Sequence, residues 1–107
     1  SSLTFAVAYP GMAEVRLSRR ASADLDAIRV WSLDHFGAAR TRRYLDKLAE
    51  ALILLERHPE IGAPHEHTVH PFRVLPTGKL RLFYLFVGDV VTVERVLHAA
   101  QDVEGKL

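Results

Sequence analysis

Residues 80–98, LRLFYLFVGDVVTVERVLH, decide the fold of this 107-residue chain. Two apolar runs, Leu80–Val87 and Val90–Leu97, flank the dipeptide Gly88-Asp89, which is typical of a two-residue β-hairpin turn. Because side chains alternate between the two faces of a strand, pairing across this turn predicts one strongly apolar face. That face holds Leu80, Leu82, Tyr84, Phe86, Val91, Val93 and Leu97, and we expect helices to cover it.

The opposite face of this hairpin is predicted to be mixed in character. It carries Arg81, Phe83, Leu85, Thr92, Glu94, Val96 and His98. A lone monomer would leave its apolar members in water, so we interpret the face as a partner surface. Arg95 falls on the apolar face in this register, which is a sign that a β-bulge could break the assignment.

Two helices are predicted upstream of the hairpin. Apolar residues at helical spacing favour helices over 21–36 and 38–58, and Gly37 between them suits a left-handed C-cap. Pro59 ends the second helix, because the residue before a proline is pushed out of the helical region. With so short a connection, the helices fold back as an antiparallel hairpin.

The remaining strands lie before and after this helical hairpin. Residues 14–18 alternate polar and apolar as in a half-buried strand, and Ser18 can cap the first helix. A further strand is predicted over 72–75, ended by the turn residues 76–78. The order strand, helix, helix and three strands predicts an α+β protein in which an N-terminal strand, the helical hairpin and a three-stranded antiparallel meander form one sheet.

Composition sets broad limits on the kind of protein. Apolar residues make up 49% of the chain, charged residues 25%, and the formal net charge is +1, values that fit an ordinary globular protein. The absence of cysteine favours a reducing compartment, so we expect a cytoplasmic protein. The apolar runs are far short of the ~20 residues that span a bilayer.

The first eleven residues, SSLTFAVAYPG, are treated separately. Because Met12 resembles a natural start, we interpret residues 1–11 as an expression remnant or an extra N-terminal segment. Part of it, residues 3–9, could pair as an additional strand. We expect residues 12–107 to form a single domain.

Several short motifs together resemble the RelE/ParE toxin superfamily, and its ParE branch in particular. The stretch 21–28 is similar to A-x-x-D-L-x-x-I, and Pro59-x-x-Gly62 is similar to the P-x-x-G that follows the second helix in that family. The segment 95–102 is similar to the ending R-V-L-H-x-x-x-D. Each motif is weak alone, but their order and spacing span nearly the whole chain.

This resemblance implies the toxin of a type II toxin–antitoxin system. A ParE-type toxin acts on DNA gyrase by binding, and a RelE-type toxin cleaves messenger RNA in the ribosome. The resemblance implies a cognate, ParD-like antitoxin as partner, contact with DNA only through that antitoxin, and no cofactor. A non-toxic member that only forms complexes is a further alternative.

Candidate site residues follow from these alternatives. Partner binding is predicted at Arg73, Arg81, Phe83, Leu85 and His98. A nuclease would need an acid or base and cations, which Arg73, Arg81, Glu94 and His98 could supply. The C-terminal Tyr or His-Tyr pair typical of RelE nucleases is missing, so we predict no catalytic residues and favour the gyrase-binding interpretation.

Three other features are interpreted as structural. Trp31 is expected to be a packing residue, and Tyr84 a core residue. Arg40, Arg42 and Arg43 are interpreted as a solvated helix face, with attraction of an acidic antitoxin or phosphate as the alternative. His65, His67 and His70 lie in a loop at a spacing from which we predict no metal site.

Overall fold

The structure, a computed structural model, describes residues 3–5, 12–65 and 70–98, the first of these ranges by its backbone alone. Its elements in chain order are β1 (Leu3–Phe5), β2 (Glu14–Leu17), α1 (Arg19–Phe36), α2 (Ala38–Arg57), β3 (Ala63–Pro64), β4 (Arg73–Thr77), β5 (Leu80–Val87) and β6 (Val90–His98). The predicted helices and the predicted meander are therefore present, with ends that differ by one or two residues.

The ends of the two helices are fixed by local chemistry. The Ala21 amide donates to the Ser18 side-chain oxygen at 3.0 Å, so Ser18 is the N-cap that the sequence predicts. Gly37 has φ of +82°, a backbone conformation that favours glycine, and it joins α1 directly to α2. The helices also share a buried hydrogen bond of 2.8 Å from the Thr41 hydroxyl to the Ser32 hydroxyl.

The described strands form one sheet in the order β1-β2-β6-β5-β4-β3. The antiparallel meander β4-β5-β6 is confirmed, and β2 joins it by parallel pairing with β6. Two short strands that were not part of the predicted sheet extend its edges. Of these, β1 pairs with β2 within the segment that the sequence left open as an additional strand. The α+β class is confirmed.

A β-bulge corrects the predicted faces of the hairpin. Val87 pairs with Val90 as expected, but Phe83 pairs with Arg95 while Tyr84 pairs with Val93, so Glu94 has no partner across the strand. One extra residue reverses the alternation beyond Val93. Beyond that point the prediction is wrong. Leu97 clusters with Phe83, and Val96 and His98 join the face that the helices cover.

The bulge is tied to α1 by a partly buried ion pair. The Asp24 carboxylate accepts hydrogen bonds from Arg95 Nε at 2.7 Å, Arg95 Nη2 at 2.7 Å and the Val96 amide at 3.0 Å. Both side chains are only 14% exposed. The hydrogen bonds that Arg95 donates to Asp24 raise the pKa of Arg95 above its ordinary value, although burial opposes this. A bidentate pair of this kind fixes the orientation of its partners as well as their distance.

The sheet has a hydrophobic cluster on each face. The larger cluster lies between the helices and the sheet, and it includes Tyr84, which confirms the core assignment. The smaller cluster, on the other face, holds the buried residues Phe72, Phe83 and Leu97. The expectation that Phe83 is exposed is therefore wrong, since its side chain is 0% exposed. Leu85 packs against this smaller cluster and is partly buried.

Candidate functional site

An apolar cavity of about 450 Å³ lies where the helical hairpin meets one end of the sheet. The residues that line it come from α1, α2, the start of β5 and the end of β6. They are Ala27, Ile28, Trp31, Ser32, Tyr44, Leu80 and His98. Pockets of roughly 300–1,000 Å³ lined mainly by apolar groups are the usual form of a binding site.

The local structure explains why these residues meet. Ala27, Ile28, Trp31 and Ser32 follow the i, i+1, i+4, i+5 spacing that places side chains on one side of a helix. His98 pairs directly with Leu80, which faces the helices, and the bulge in β6 turns His98 to that same face. The sequence missed this site because it placed His98 on the opposite face of the sheet.

Trp31 is the largest side chain of the cavity, and it is 48% exposed. The sequence predicts a packing residue at this position, and the ring does pack against its neighbours, but at the surface of α1. Its ring stacks on His35 with centroids 4.2 Å apart, and Phe36 meets it edge-on at 5.3 Å. The Arg40 guanidinium lies over the Phe36 ring at 4.3 Å. The cavity thus opens beside a half-exposed aromatic cluster.

Two predicted partner-binding arginines occupy different surroundings. Arg73 Nη1 donates to the carbonyl oxygens of Glu60 at 3.0 Å and Gly62 at 2.8 Å, so it holds the loop that follows α2. The Arg81 guanidinium lies 5.5 Å from the centroid of the Phe83 ring. Arg81 pairs with Leu97, which places it on the face away from the helices.

The four residues of the nuclease alternative do not share one face of the sheet. Arg81 is on the outer face, whereas His98 lines the cavity on the helix face. Glu94 is the bulged residue, and its backbone carbonyl accepts a hydrogen bond of 2.9 Å from the Ser18 hydroxyl. Arg73 donates to a backbone carbonyl oxygen, that of Gly62, and it lies at the end of the β4–β5 pair opposite to Leu80. General acid–base chemistry needs such groups within reach of the same reacting atoms.

A buried tyrosine anchors the loop that the P-x-x-G motif occupies. The Gly62 amide donates to the Tyr84 hydroxyl at 2.8 Å. Burial raises the pKa of the Tyr84 hydroxyl, and the hydrogen bond from Gly62 lowers it by less. A Cβ at Gly62 would come within 2.7 Å of the Tyr84 ring, so only glycine fits there without displacing the tyrosine.

The predicted histidine cluster is only partly covered by the structure, because His67 lies outside the described residues. Within the described residues, no group of three or more His, Cys, Asp and Glu could hold a metal ion. In the same part of the chain, neither helix is both long enough and apolar enough to cross a membrane.

The fold is that of a known class of small α+β proteins. It matches a chain in a solved structure described as "Chromosomal ParDE TA system from P. aeruginosa", with a TM-score of 0.67. The match covers 82% of this chain and 96% of that chain at 20% sequence identity, so it shows likeness of fold alone.

Sequence comparison then defines the family. Residues 15–103 match the family model described as "ParE toxin of type II toxin-antitoxin system, parDE". The chain is also 34% identical over 96 residues to Toxin ParE1 of Caulobacter vibrioides, covering 90% of this chain and 99% of that protein. This chain belongs to the ParE toxin family of type II toxin–antitoxin systems.

Proposed function

We propose that this ParE-family chain inhibits DNA gyrase by docking on it, that it performs no covalent chemistry of its own, and that a cognate antitoxin neutralises it. It acts in the cytoplasm and contacts DNA only through the antitoxin. The proposal extends the family assignment from the class of toxin to its target and its mode of action.

Two observations support a toxin that acts by binding. The structure has an open apolar cavity, and the candidate nuclease side chains lie apart from one another. The cavity exposes the indole of Trp31 and offers few polar atoms for chemistry. Arg81 and His98, the cation and the base of the nuclease alternative, lie on opposite faces of the sheet. An arrangement of this kind favours recognition of another protein.

The antitoxin is proposed to cover the helical hairpin. Large apolar side chains are exposed on α1, with Val30 at 58%, Trp31 at 48% and Leu33 at 42%. The sequence predicts antitoxin contacts on both the outer sheet face and the helical hairpin, and the burial of Phe83 removes one of those on the sheet. A segment that folds as it binds can cover such a dispersed apolar surface, although it loses conformational entropy.

Gyrase supercoiling tests the proposal. Purified chain is added to gyrase and relaxed plasmid, with and without the antitoxin encoded beside it. We expect supercoiling to be inhibited and cleavage complexes to accumulate, and we expect equimolar antitoxin to restore activity. Supercoiling that is unchanged at a large molar excess of the chain would refute gyrase as the target.

A translation-coupled cleavage assay distinguishes gyrase inhibition from the alternative function, ribosome-dependent cleavage of messenger RNA. Messenger RNA cleaved by the wild-type chain on ribosomes, but left intact by an Arg81→Ala/His98→Ala variant, would establish nuclease activity instead. We expect no cleavage by either protein, because those side chains do not face a common site.

A further inference from the structure

The two edges of the sheet are protected in different ways. At one edge, β3 is only two residues long and ends in Pro64, and Pro76 lies in β4 beyond the residues that pair with β3. Short strands and prolines hinder pairing with another chain, because proline has no amide proton to donate. At the other edge, β2 has the sequence EVRL, without proline, and β1 pairs along its outer side. This outer edge of β2 is therefore protected by β1 and not by its own sequence.

The hydrogen bonds of β2 show which of its residues face that edge. The amides of Glu14 and Ser18 donate to carbonyl oxygens of β6 and of the turn before it, at 2.8 and 2.9 Å. Backbone groups of successive residues in a strand point to opposite sides, so Val15 and Leu17 direct their amides and carbonyls to the outer edge. Those groups need partners there.

β1 meets these backbone groups in register. Phe5 pairs with Val15 and Leu3 pairs with Leu17, in antiparallel orientation. In an antiparallel ladder, two residues whose backbone groups face each other exchange two hydrogen bonds, and the next pair along exchanges none. The amides of Leu3 and Phe5 therefore bond to β2, whereas the amide of Thr4 points away from it.

The charges beside the outer edge favour one partner for β2 when β1 is displaced. Glu14 and Arg16 flank Val15, and they form an ion pair within the strand. If two copies of β2 pair antiparallel about Val15, Glu14 of each copy lies opposite Arg16 of the other. Opposite charges across two strands stabilise a sheet, and two-fold symmetry forms both pairs at once. Pairing about Arg16 would instead place like charges opposite each other.

We propose that the outer edge of β2 is a strand-pairing surface, that β1 keeps it closed, and that a chain whose β1 is displaced pairs there with β2 of a second copy. Covering an edge strand is a usual protection against such association. The paired copies share one continuous sheet, with Val15 of one copy opposite Val15 of the other. This pairing involves the chain alone, so it is independent of gyrase and of the antitoxin.

Amide hydrogen exchange tests the closed edge in the 107-residue chain. The amides of Val15 and Leu17 should be protected in the wild-type chain. Phe5→Pro removes one donor to β2 and should speed their exchange roughly tenfold, the equivalent of one hydrogen bond. Thr4→Pro is the matched control and should leave exchange unchanged, because the amide that it removes points away from β2. If both amides exchange in the wild-type chain as fast as unstructured ones, the proposal is refuted.

Sedimentation of the wild-type chain and of a shortened chain without residues 1–11 tests the partner. The wild-type chain should sediment as a monomer of 12.0 kDa, and the shortened chain as a dimer. Arg16→Glu in the shortened chain places carboxylates opposite each other and should return it to the monomer. The exchange Glu14→Arg/Arg16→Glu makes the facing charges opposite again and should restore the dimer.

Three results of sedimentation would overturn the proposal. A shortened chain that is folded by circular dichroism and monomeric shows that the edge does not pair. A dimer that persists in Arg16→Glu uses another interface. A wild-type dimer that Arg16→Glu dissociates shows that β1 does not close the edge. If the shortened chain does not fold, Phe5→Pro in the 107-residue chain takes its place, and the same results decide.

Discussion

At the scale of single residues, Gly62 and Tyr84 explain the P-x-x-G motif. The motif places a glycine where the chain passes against a buried tyrosine, with an amide-to-hydroxyl hydrogen bond of 2.8 Å. Tyr84 has no exposed surface, so its ring has little room to move. The sequence predicts the turn and the burial of Tyr84. Their contact could not be predicted, because it joins residues 22 positions apart.

Gly62→Ala should destabilise the protein by about 1–3 kcal/mol, the usual cost of overpacking. The new Cβ would lie 2.7 Å from Tyr84 Cε1 and Oη. Urea unfolding measures the change, and the same substitution in a Tyr84→Leu background is the control. There the penalty should largely disappear, since the ring that causes the clash is gone. An equal penalty in both backgrounds would show that the clash is not the cause.

Tyr84 should also make stability fall at high pH. Burial raises its pKa in the folded protein above the ordinary 10.0. Above pH 10 the unfolded chain loses the phenol proton while the folded chain keeps it, so the free energy of unfolding decreases as pH rises. Below pH 10 both states are protonated, and this contribution is complete.

Thermal unfolding between pH 9 and pH 11 measures this effect. Tyr84→Phe should lose part of the decline, whereas Tyr44→Phe, a change at a partly exposed tyrosine, should keep it. Identical slopes for the wild-type chain and Tyr84→Phe would contradict the assignment.

At the scale of elements, the pair Asp24–Arg95 holds α1 against the bulge in β6. Asp24→Ala leaves the 14%-exposed Arg95 without its carboxylate, and we expect a loss of about 3–5 kcal/mol in the free energy of unfolding. Asp26→Ala, at an exposed position of the same helix, should change it by less than about 0.5 kcal/mol. The double variant Asp24→Leu/Arg95→Met should recover much of the loss, because no buried charge is left unpaired.

Chemical denaturation of these variants measures the free energy of unfolding and separates the effect of the ion pair from that of any Asp→Ala change on α1. A loss for Asp24→Ala no greater than that for Asp26→Ala would show that the ion pair contributes nothing to the docking of α1.

The same elements show what the sequence could and could not predict. Helix ends depend on local groups such as Ser18 and Gly37, so their positions were predicted to within two residues. The faces of β6 could be predicted only as far as Val93. Arg95 on an apolar face indicated a bulge, but its position depends on the carboxylate of Asp24, which is 71 residues away.

At the scale of the whole molecule, the order of the elements predicts the α+β class, because a run of helices followed by a run of strands is typical of helices segregated to one face of an antiparallel sheet. The parallel pairing of β2 with β6 and the cavity at the end of the sheet depend on how the helical hairpin lies on the sheet. The family motifs mark the residues that build this frame, including Asp24, Gly62 and Arg95. The proposed antitoxin contacts lie instead on α1, at Val30, Trp31 and Leu33.

Growth of bacteria that express the chain tests the central claim most directly. Expression is induced alone or together with the neighbouring antitoxin, and viable cells are counted over several generations. The account predicts that counts fall when the chain is expressed alone and that the antitoxin restores them. Equal counts with and without induction of a folded chain would contradict the account, and they would identify a non-toxic member of the family.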